Sequence, residues 1–121
     1  MSFDITKLRI GIVGLGYVGL PLAVEFGRKY ETVGFDIHAG RVAELEAGTD
    51  STLECSSEEL VEATHLTYTS DVAGIAECNF YIVTVPTPIG DGNRPLLTPL
   101  RAASNTLGSV IKKGDIVVYE S

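Results

Sequence analysis

Gly14-Leu15-Gly16-Tyr17-Val18-Gly19 follows directly on the apolar run 8–13 and opens an apolar, helix-compatible segment. Strand, glycine turn and helix in that order is the setting in which G-x-G-x-x-G points to a dinucleotide site. Gly14 lets the chain turn sharply off the strand. Gly16 carries no side chain, so a pyrophosphate can approach the backbone. Gly19 allows the helix to pack close to the strand. Free N–H groups and the helix dipole at that terminus favour the phosphate charge.

Working outward, apolar runs alternate with helix-like segments. Strands are predicted at 8–13, 32–36, 66–69, 80–85 and 116–119, the fourth being the clearest buried one. Helices are predicted at 18–30, where Pro21 is tolerable in the first turn, and at 40–47, stopped near Gly48. Ser56 and Glu59 suit a capping box for a short helix ending at Ala63. Residues 71–77 form a weak helix. Thr98-Pro99 suits a cap and first helical residue. Leu100, Ala103, Leu107, Val110 and Ile111 then share a face of a helix that Gly114 ends. Continuous apolar strands alternating with helices imply α/β architecture, a parallel sheet covered on both faces. Right-handed crossovers make it a doubly wound sheet, the Rossmann fold, with strand order 3-2-1-4-5. No repeat or linker divides the chain, so residues 1–121 are expected to form one domain.

The chain has 121 residues, 45% hydrophobic and 21% charged, which suits a globular domain with a real core. Its net charge of −7 argues against nucleic-acid or anionic-membrane partners, since phosphate backbones attract basic surfaces. A single nucleotide is still admissible, because backbone amides can hold it. No apolar run approaches the roughly 18 residues needed to span a bilayer, and the N-terminus is no signal peptide. The expected location is the cytoplasm. Cys55 and Cys78 have no C-x-x-C partner, so neither a metal nor a redox motif is supported. Both are expected as reduced thiols, Cys78 half-buried and Cys55, in a polar stretch, exposed.

Asp36 ends the second strand roughly 20 residues after the glycines, where a carboxylate can accept hydrogen bonds from the adenosine ribose. It would repel a 2′-phosphate, which favours NAD over NADP. The competing role is a cap for the next helix. Arg41, five residues on, suits either the adenosine end or a solvated surface. Val85, Pro86 and Thr87 leave the carboxyl edge of the fourth strand, where open α/β sheets bind ligands. Two prolines stiffen this loop, so that a threonine hydroxyl can line the nicotinamide ribose; it can equally be a plain strand terminator. The segment Tyr119-Glu120-Ser121 ends at the same edge, either reaching the cofactor or fraying. No proton acceptor is persuasive: His38 and His65 are isolated. Neither a GxSxG elbow nor a P-loop occurs. No catalytic residue is therefore assigned.

Residues 14–23, Gly34-Phe35-Asp36 with Arg41, Val83-Thr84-Val85-Pro86-Thr87-Pro88 and the tail 113–121 together resemble the UDP-glucose/GDP-mannose dehydrogenase family. Residues 47–54 and 85–89 look most like its UDP-N-acetylhexosamine branch, which feeds bacterial surface polysaccharides such as Vi antigen and O-antigen. The resemblance implies two NAD-dependent oxidations of the sugar C6 alcohol to a carboxylate, through a thioester on a cysteine. It implies Tyr17 and Val18 over the pyrophosphate, Asp36 and Arg41 at the adenosine ribose, Thr87 near the nicotinamide half and Ser121 beside the cofactor.

Family members continue into a central helix and a C-terminal domain that carry the nucleophilic cysteine. By that resemblance the chain looks like an excised N-terminal domain, expected to bind NAD weakly and to be inactive alone. Neither Cys55 nor Cys78 is cast as the nucleophile. The UDP-sugar is a partner only of the full-length enzyme, which the resemblance makes a homodimer. A non-catalytic nucleotide-sensing module and a β-hydroxyacid-type dehydrogenase domain are the alternatives.

Overall fold

The computed structural model describes residues 5–85, 92 and 98–120. Five parallel strands lie in the order β3-β2-β1-β4-β5. They are β1 (Arg9–Val13), β2 (Glu31–Phe35), β3 (Leu66–Thr69), β4 (Phe80–Val83) and β5 (Ile116–Tyr119). The helices are α1 (Gly19–Gly27), α2 (Ala39–Glu46), α3 (Ser57–Glu62) and α4 (Thr98–Gly108). The expected sheet order is thus the observed one. Among the described residues no helix is long and apolar enough to cross a membrane.

Strand alternation divides the core into two layers. Ile10, Ile12 and Ile82 join Leu15, Leu20, Ala23 and Val24 on the face covered by α1, with Leu45 and Leu60 from α2 and α3. Val13, Tyr81 and Val83 face the other way, against Ile75, Ala103 and Leu107. Burial rather than propensity holds α1, since Gly19, Pro21 and Gly27 are poor helix formers. Each fully buried Leu or Val contributes about 1.5–3 kcal/mol, against about 1 kcal/mol lost at a helical glycine.

Several boundaries differ from expectation. Helix α1 stops at Gly27, short of Tyr30, because the Gly27 carbonyl accepts the His65 N–H at 2.9 Å. A Cβ on Gly27 would also stand 2.6 Å from Leu66 Cβ, so the close crossing of β3 needs glycine there. Residues 71–77 form only a 3-10 turn, Val72–Ile75, capped by the Asp71 side chain. Helix α4 ends at Gly108, not at Gly114: Val110 N–H and Ile111 N–H both turn back to the Leu107 carbonyl. Thr98 is accordingly a helical residue rather than its cap. Ile111 falls outside the helical face and is 46% exposed. The α3 capping box forms as expected, with Ser56 and Glu59 exchanging bonds of 3.1 and 3.0 Å.

The cysteine expectations need correction. Cys55 is buried, because the chain from 50 to 55 folds over the Asp50 carboxylate and turns the thiol into the α1-side core. Cys78 is fully buried on the opposite side, against Tyr81. Burial pushes the Cys55 thiol up from its ordinary value and the Cys78 thiol to about 11. Thiolate attack therefore requires opening of the fold. Both thiols are expected to react with a disulfide reagent at least a hundredfold more slowly in native buffer than in urea. Fast native labelling of Cys55, read by mass spectrometry, would contradict this burial.

Candidate functional site

The carboxyl ends of β1, β2 and β4 meet where the strand order reverses, β1 lying between the other two. The glycine turn leaves β1 at this point and is tied to both neighbours. Gly14 has φ +102°, a left-handed conformation suited to glycine. Its N–H donates to the Phe35 carbonyl of β2 at 2.8 Å. Its carbonyl accepts the Thr84 hydroxyl, just past β4, at 2.7 Å. A Cβ on Gly19 would fall 1.7 Å from the Gly14 carbonyl oxygen and 2.4 Å from Thr84 Oγ1. Glycine is therefore obligatory at 19. Thr84, the first residue past β4 in the 83–88 motif, thus positions the turn, a role its sequence setting at a strand end did not specify.

Gly16 is different. A Cβ there would meet nothing within 4 Å. The fold leaves that space open, beside the first turn of α1. Among the described contacts the N–H groups of Gly16, Tyr17 and Val18 donate to no protein atom, and no acidic residue stands in the first turn. Tyr17 is 69% exposed and Val18 39%, so both border the mouth. Such a terminus suits an anion, which the free N–H groups and the helix dipole would hold.

The peptide of Leu15 is gripped from both sides. Its N–H donates to Asp36 Oδ2 at 3.0 Å, and its carbonyl accepts Arg41 Nε at 2.7 Å. Asp36 Oδ1 accepts the His38 N–H at 2.9 Å. The cap position of α2 is held by His38, so Asp36 braces the entry to that helix from two residues upstream. Each carboxylate oxygen of Asp36 accepts one bond here and keeps a free lone pair. The half-buried carboxylate can thus accept two hydroxyls without giving up its structural bonds.

Arg41 is not a solvated surface charge: its side chain is 11% exposed. Nη1 donates to Asp50 Oδ1 at 2.8 Å and to Glu44 Oε1 at 3.1 Å. Nη2 is buried and pairs with no atom of the described residues. The Asp50 side chain is fully buried and also accepts Thr52 N–H, Thr52 Oγ1, Glu54 N–H and Cys55 N–H, at 2.6 to 3.0 Å. Burial works against its charge, but the Thr52, Arg41 and Cys55 hydrogen bonds prevail and hold its carboxyl far below the ordinary range. Glu44 is likewise lowered, first by the Ser51 N–H and then by Arg41. For Arg41, burial works to lower the pKa, and the bonds and charges of Asp50 and Glu44 outweigh it. Residues 47–54 carried the resemblance, yet their role as a clamp on Arg41 was not read. Asp50 among Thr49, Ser51 and Thr52 is the pattern of side chains that bond local backbone, and was the signal.

Val85 is half-buried beside the turn: a Cβ on Gly14 would lie 3.2 Å from Val85 Cγ1. Pro86, Thr87 and Ser121 lie outside the described residues. Glu120 N–H donates to the Val83 carbonyl at 2.8 Å, which brings the end of β5 to the same sheet edge. His65 precedes β3 and so lies at the opposite edge, paired with Glu31 at 3.5 Å. No group of three or more metal-ligating side chains occurs among the described residues.

Residues 8–121 match the sequence profile of the UDP-glucose/GDP-mannose dehydrogenase family, NAD binding domain. The chain belongs to that family. Within this NAD-binding domain, the chain is 57% identical over 119 residues to the UDP-N-acetyl-D-glucosamine 6-dehydrogenase of Salmonella typhi, covering 98% of this chain and 28% of that protein. It is 59% identical over 114 residues to the enzyme of the same name from Pseudomonas aeruginosa, covering 94% of this chain and 27% of that one. The solved UDP-D-ManNAc dehydrogenase of Pyrococcus horikoshii superposes with a TM-score of 0.81 at 31% identity, over 94% of this chain and 28% of that one. The chain therefore spans just over a quarter of the length of these relatives.

Because the folded-state pKa values of Asp50 and Glu44 lie below their ordinary values, their stabilisation is complete above about pH 5 and is lost as pH falls through about pH 4 and below. Asp50→Ala leaves the buried Arg41 with only the partly exposed Glu44 as its ion-pair partner and is expected to cost about 3 kcal/mol at neutral pH. It should also flatten the acid limb of the stability curve. Urea unfolding between pH 3 and pH 7 measures both; an unchanged acid limb in the variant would assign the pH dependence to other groups.

Proposed function

We propose that NAD lies along the glycine turn of this chain, and that the domain serves a nucleotide-sugar 6-dehydrogenase acting on UDP-N-acetyl-D-glucosamine. The observation that carries the cofactor position is the open space at Gly16 beside three unpartnered N–H groups. The protein itself gives no reason for glycine at 16, and a pyrophosphate does. In this reading the N–H groups of Gly16, Tyr17 and Val18 hold the pyrophosphate, with Gly14 and Gly19 shaping the turn. Asp36 takes the adenosine ribose hydroxyls, and Arg41 steadies that corner through Leu15. Val85, Pro86, Thr87 and Ser121 would line the nicotinamide half. NAD supplies the hydride acceptor; the chain's own residues bind and orient it.

The substrate assignment rests on the identity to the two UDP-N-acetyl-D-glucosamine 6-dehydrogenases. Oxidation of a C6 alcohol to a carboxylate removes two electron pairs and consumes one water, so two NAD are reduced for each sugar. The product would be a uronate for surface polysaccharide, made in the cytoplasm where the cofactor is available.

Gly16→Ala is expected to fold with an unchanged melting midpoint and to bind NAD at least tenfold more weakly, read by calorimetry. Equal affinity would remove the pyrophosphate from this turn. Asp36→Ala should weaken NAD and narrow its advantage over NADP. For the substrate, a protein containing this domain and the rest of the family pattern should reduce two NAD per UDP-N-acetyl-D-glucosamine, with UDP-N-acetyl-D-galactosamine and UDP-glucose slower. Preference for either of the other two sugars would overturn the assignment, and NAD binding without turnover of any would indicate a nucleotide-sensing module.

A further inference from the structure

Strand β3 is an edge of the sheet, with β2 on one side and no strand of the described residues on the other. Its backbone groups alternate between the two sides. The carbonyls of His65 and Thr69 accept the Thr32 and Asp36 N–H groups at 3.0 and 3.1 Å, so 65, 67 and 69 bond toward β2. Leu66 and Tyr68 have the opposite phase. The Tyr68 N–H and the carbonyls of Leu66 and Tyr68 therefore point outward, and none has a partner among the described contacts. Edge strands are commonly blunted by lysine, proline or a bulge. Leu66-Thr67-Tyr68-Thr69 carries neither residue, and its register with β2 is unbroken.

A groove of about 360 Å³ opens on these groups, between β3, α2 and α3. Leu45, Leu60, Leu66 and Tyr68 line it and belong to the α1-side core or pack on it. Val61, 73% exposed, stands at the lip, where a shallower hollow with Glu58 adjoins. Glu46, the last residue of α2, completes the rim. The surroundings are strongly acidic. Residues 39–69 hold seven carboxylates against the single Arg41, a net of −6, whereas the rest of the chain holds nine against eight cations. Arg41 is buried, and Arg28 answers only Glu62, at 3.2 Å. Glu46 and Glu58 are exposed and make no ion pair among the described residues.

Open strand edge, apolar groove and unpaired carboxylates together limit what can bind. A second copy of this chain would bring the same acidic face to the edge. Nucleic acid and anionic lipid are repelled for the same reason. An added strand fits, because its main chain can bond the outward groups of Leu66 and Tyr68 while alternate side chains enter the groove. We propose that this edge is a docking surface for an extended basic segment of another protein. The segment pairs with β3, sets an apolar side chain among Leu45, Leu60 and Val61, and brings lysine or arginine to Glu46 and Glu58. The proposal is independent of the cofactor placement, since β3 lies two strands from the glycine turn.

The test is calorimetric titration of a short capped peptide of alternating lysine and valine into this chain. A control peptide of equal charge has proline at every second valine, which removes backbone donors but not electrostatic attraction. The alternating peptide is expected to bind about tenfold more tightly than the control. In its complex the Tyr68 amide should exchange about tenfold more slowly, read by nuclear magnetic resonance. Val61→Ser and Glu46→Lys replace exposed side chains, and a lysine at the end of α2 also suits the helix dipole. Each is expected to weaken the alternating peptide about threefold or more with the circular dichroism unchanged; the proline control carries the test if a variant does not fold. Equal binding of the two peptides, unaltered exchange at Tyr68, or no binding at all would overturn the proposal. A dimer of the chain that the peptide dissociates would give the edge to a second copy. Binding lost in a longer protein containing the rest of the family pattern would give it to that protein's own chain. Either result would overturn an external partner.

Discussion

A Cβ on Gly19 would fall 1.7 Å from the Gly14 carbonyl oxygen, and the rest of the site is arranged around that closeness. The helix begins almost on top of the strand end, so the first N–H groups of α1 open directly at the carboxyl edge of the sheet. Thr84 fills the small gap that remains, donating to the same carbonyl and so fastening β4 to the turn. With β2 tied in through the Gly14 N–H and the Phe35 carbonyl, the turn is held by both neighbouring strands. A rigid cradle of backbone donors then exists before any ligand arrives, which spares the cost of ordering it on binding.

An acidic chain that binds an anionic cofactor must find its positive potential somewhere other than lysine and arginine. Net charge is −7, and the one arginine placed at this corner among the described residues is neutralised by Glu44 and Asp50. In the proposed placement the attraction comes from fixed N–H dipoles at the start of α1. Those act over a short range and on a specific geometry, whereas net charge acts over a Debye length of about 8 Å at physiological salt.

How far the sequence carried depended on whether a feature was local. The glycine spacing, the apolar strands and the Ser56–Glu59 box are decided within a few residues, and each was legible. Sheet order followed because handedness and crossover rules leave few topologies. Helix ends were harder: Gly27 ends α1 because β3 crosses it and His65 takes its carbonyl, a contact 38 positions away in the chain. The burial of Cys55 was missed for the same reason. Its neighbours are polar, yet they spend their polarity inward on Asp50, so a hydrophilic stretch makes a closed loop with an apolar thiol beneath it. Arg41 illustrates the limit most clearly, since its spacing from Asp36 suits the adenosine end or a solvated surface alike, and only its bonds to Leu15, Glu44 and Asp50 show that it is buried.

Asp50 alone accepts five hydrogen bonds, and Glu44 accepts three. The loop from 47 to 55 has few apolar side chains of its own to bury, so these charge-assisted bonds are what give it a single conformation. Arg41 is the shared partner that joins this loop to the glycine turn. The Asp50 and Glu44 network therefore fixes the guanidinium so that its Nε holds the Leu15 carbonyl at 2.7 Å. The geometry of the turn, and the net negative charge beside it, are two results of that one ion cluster.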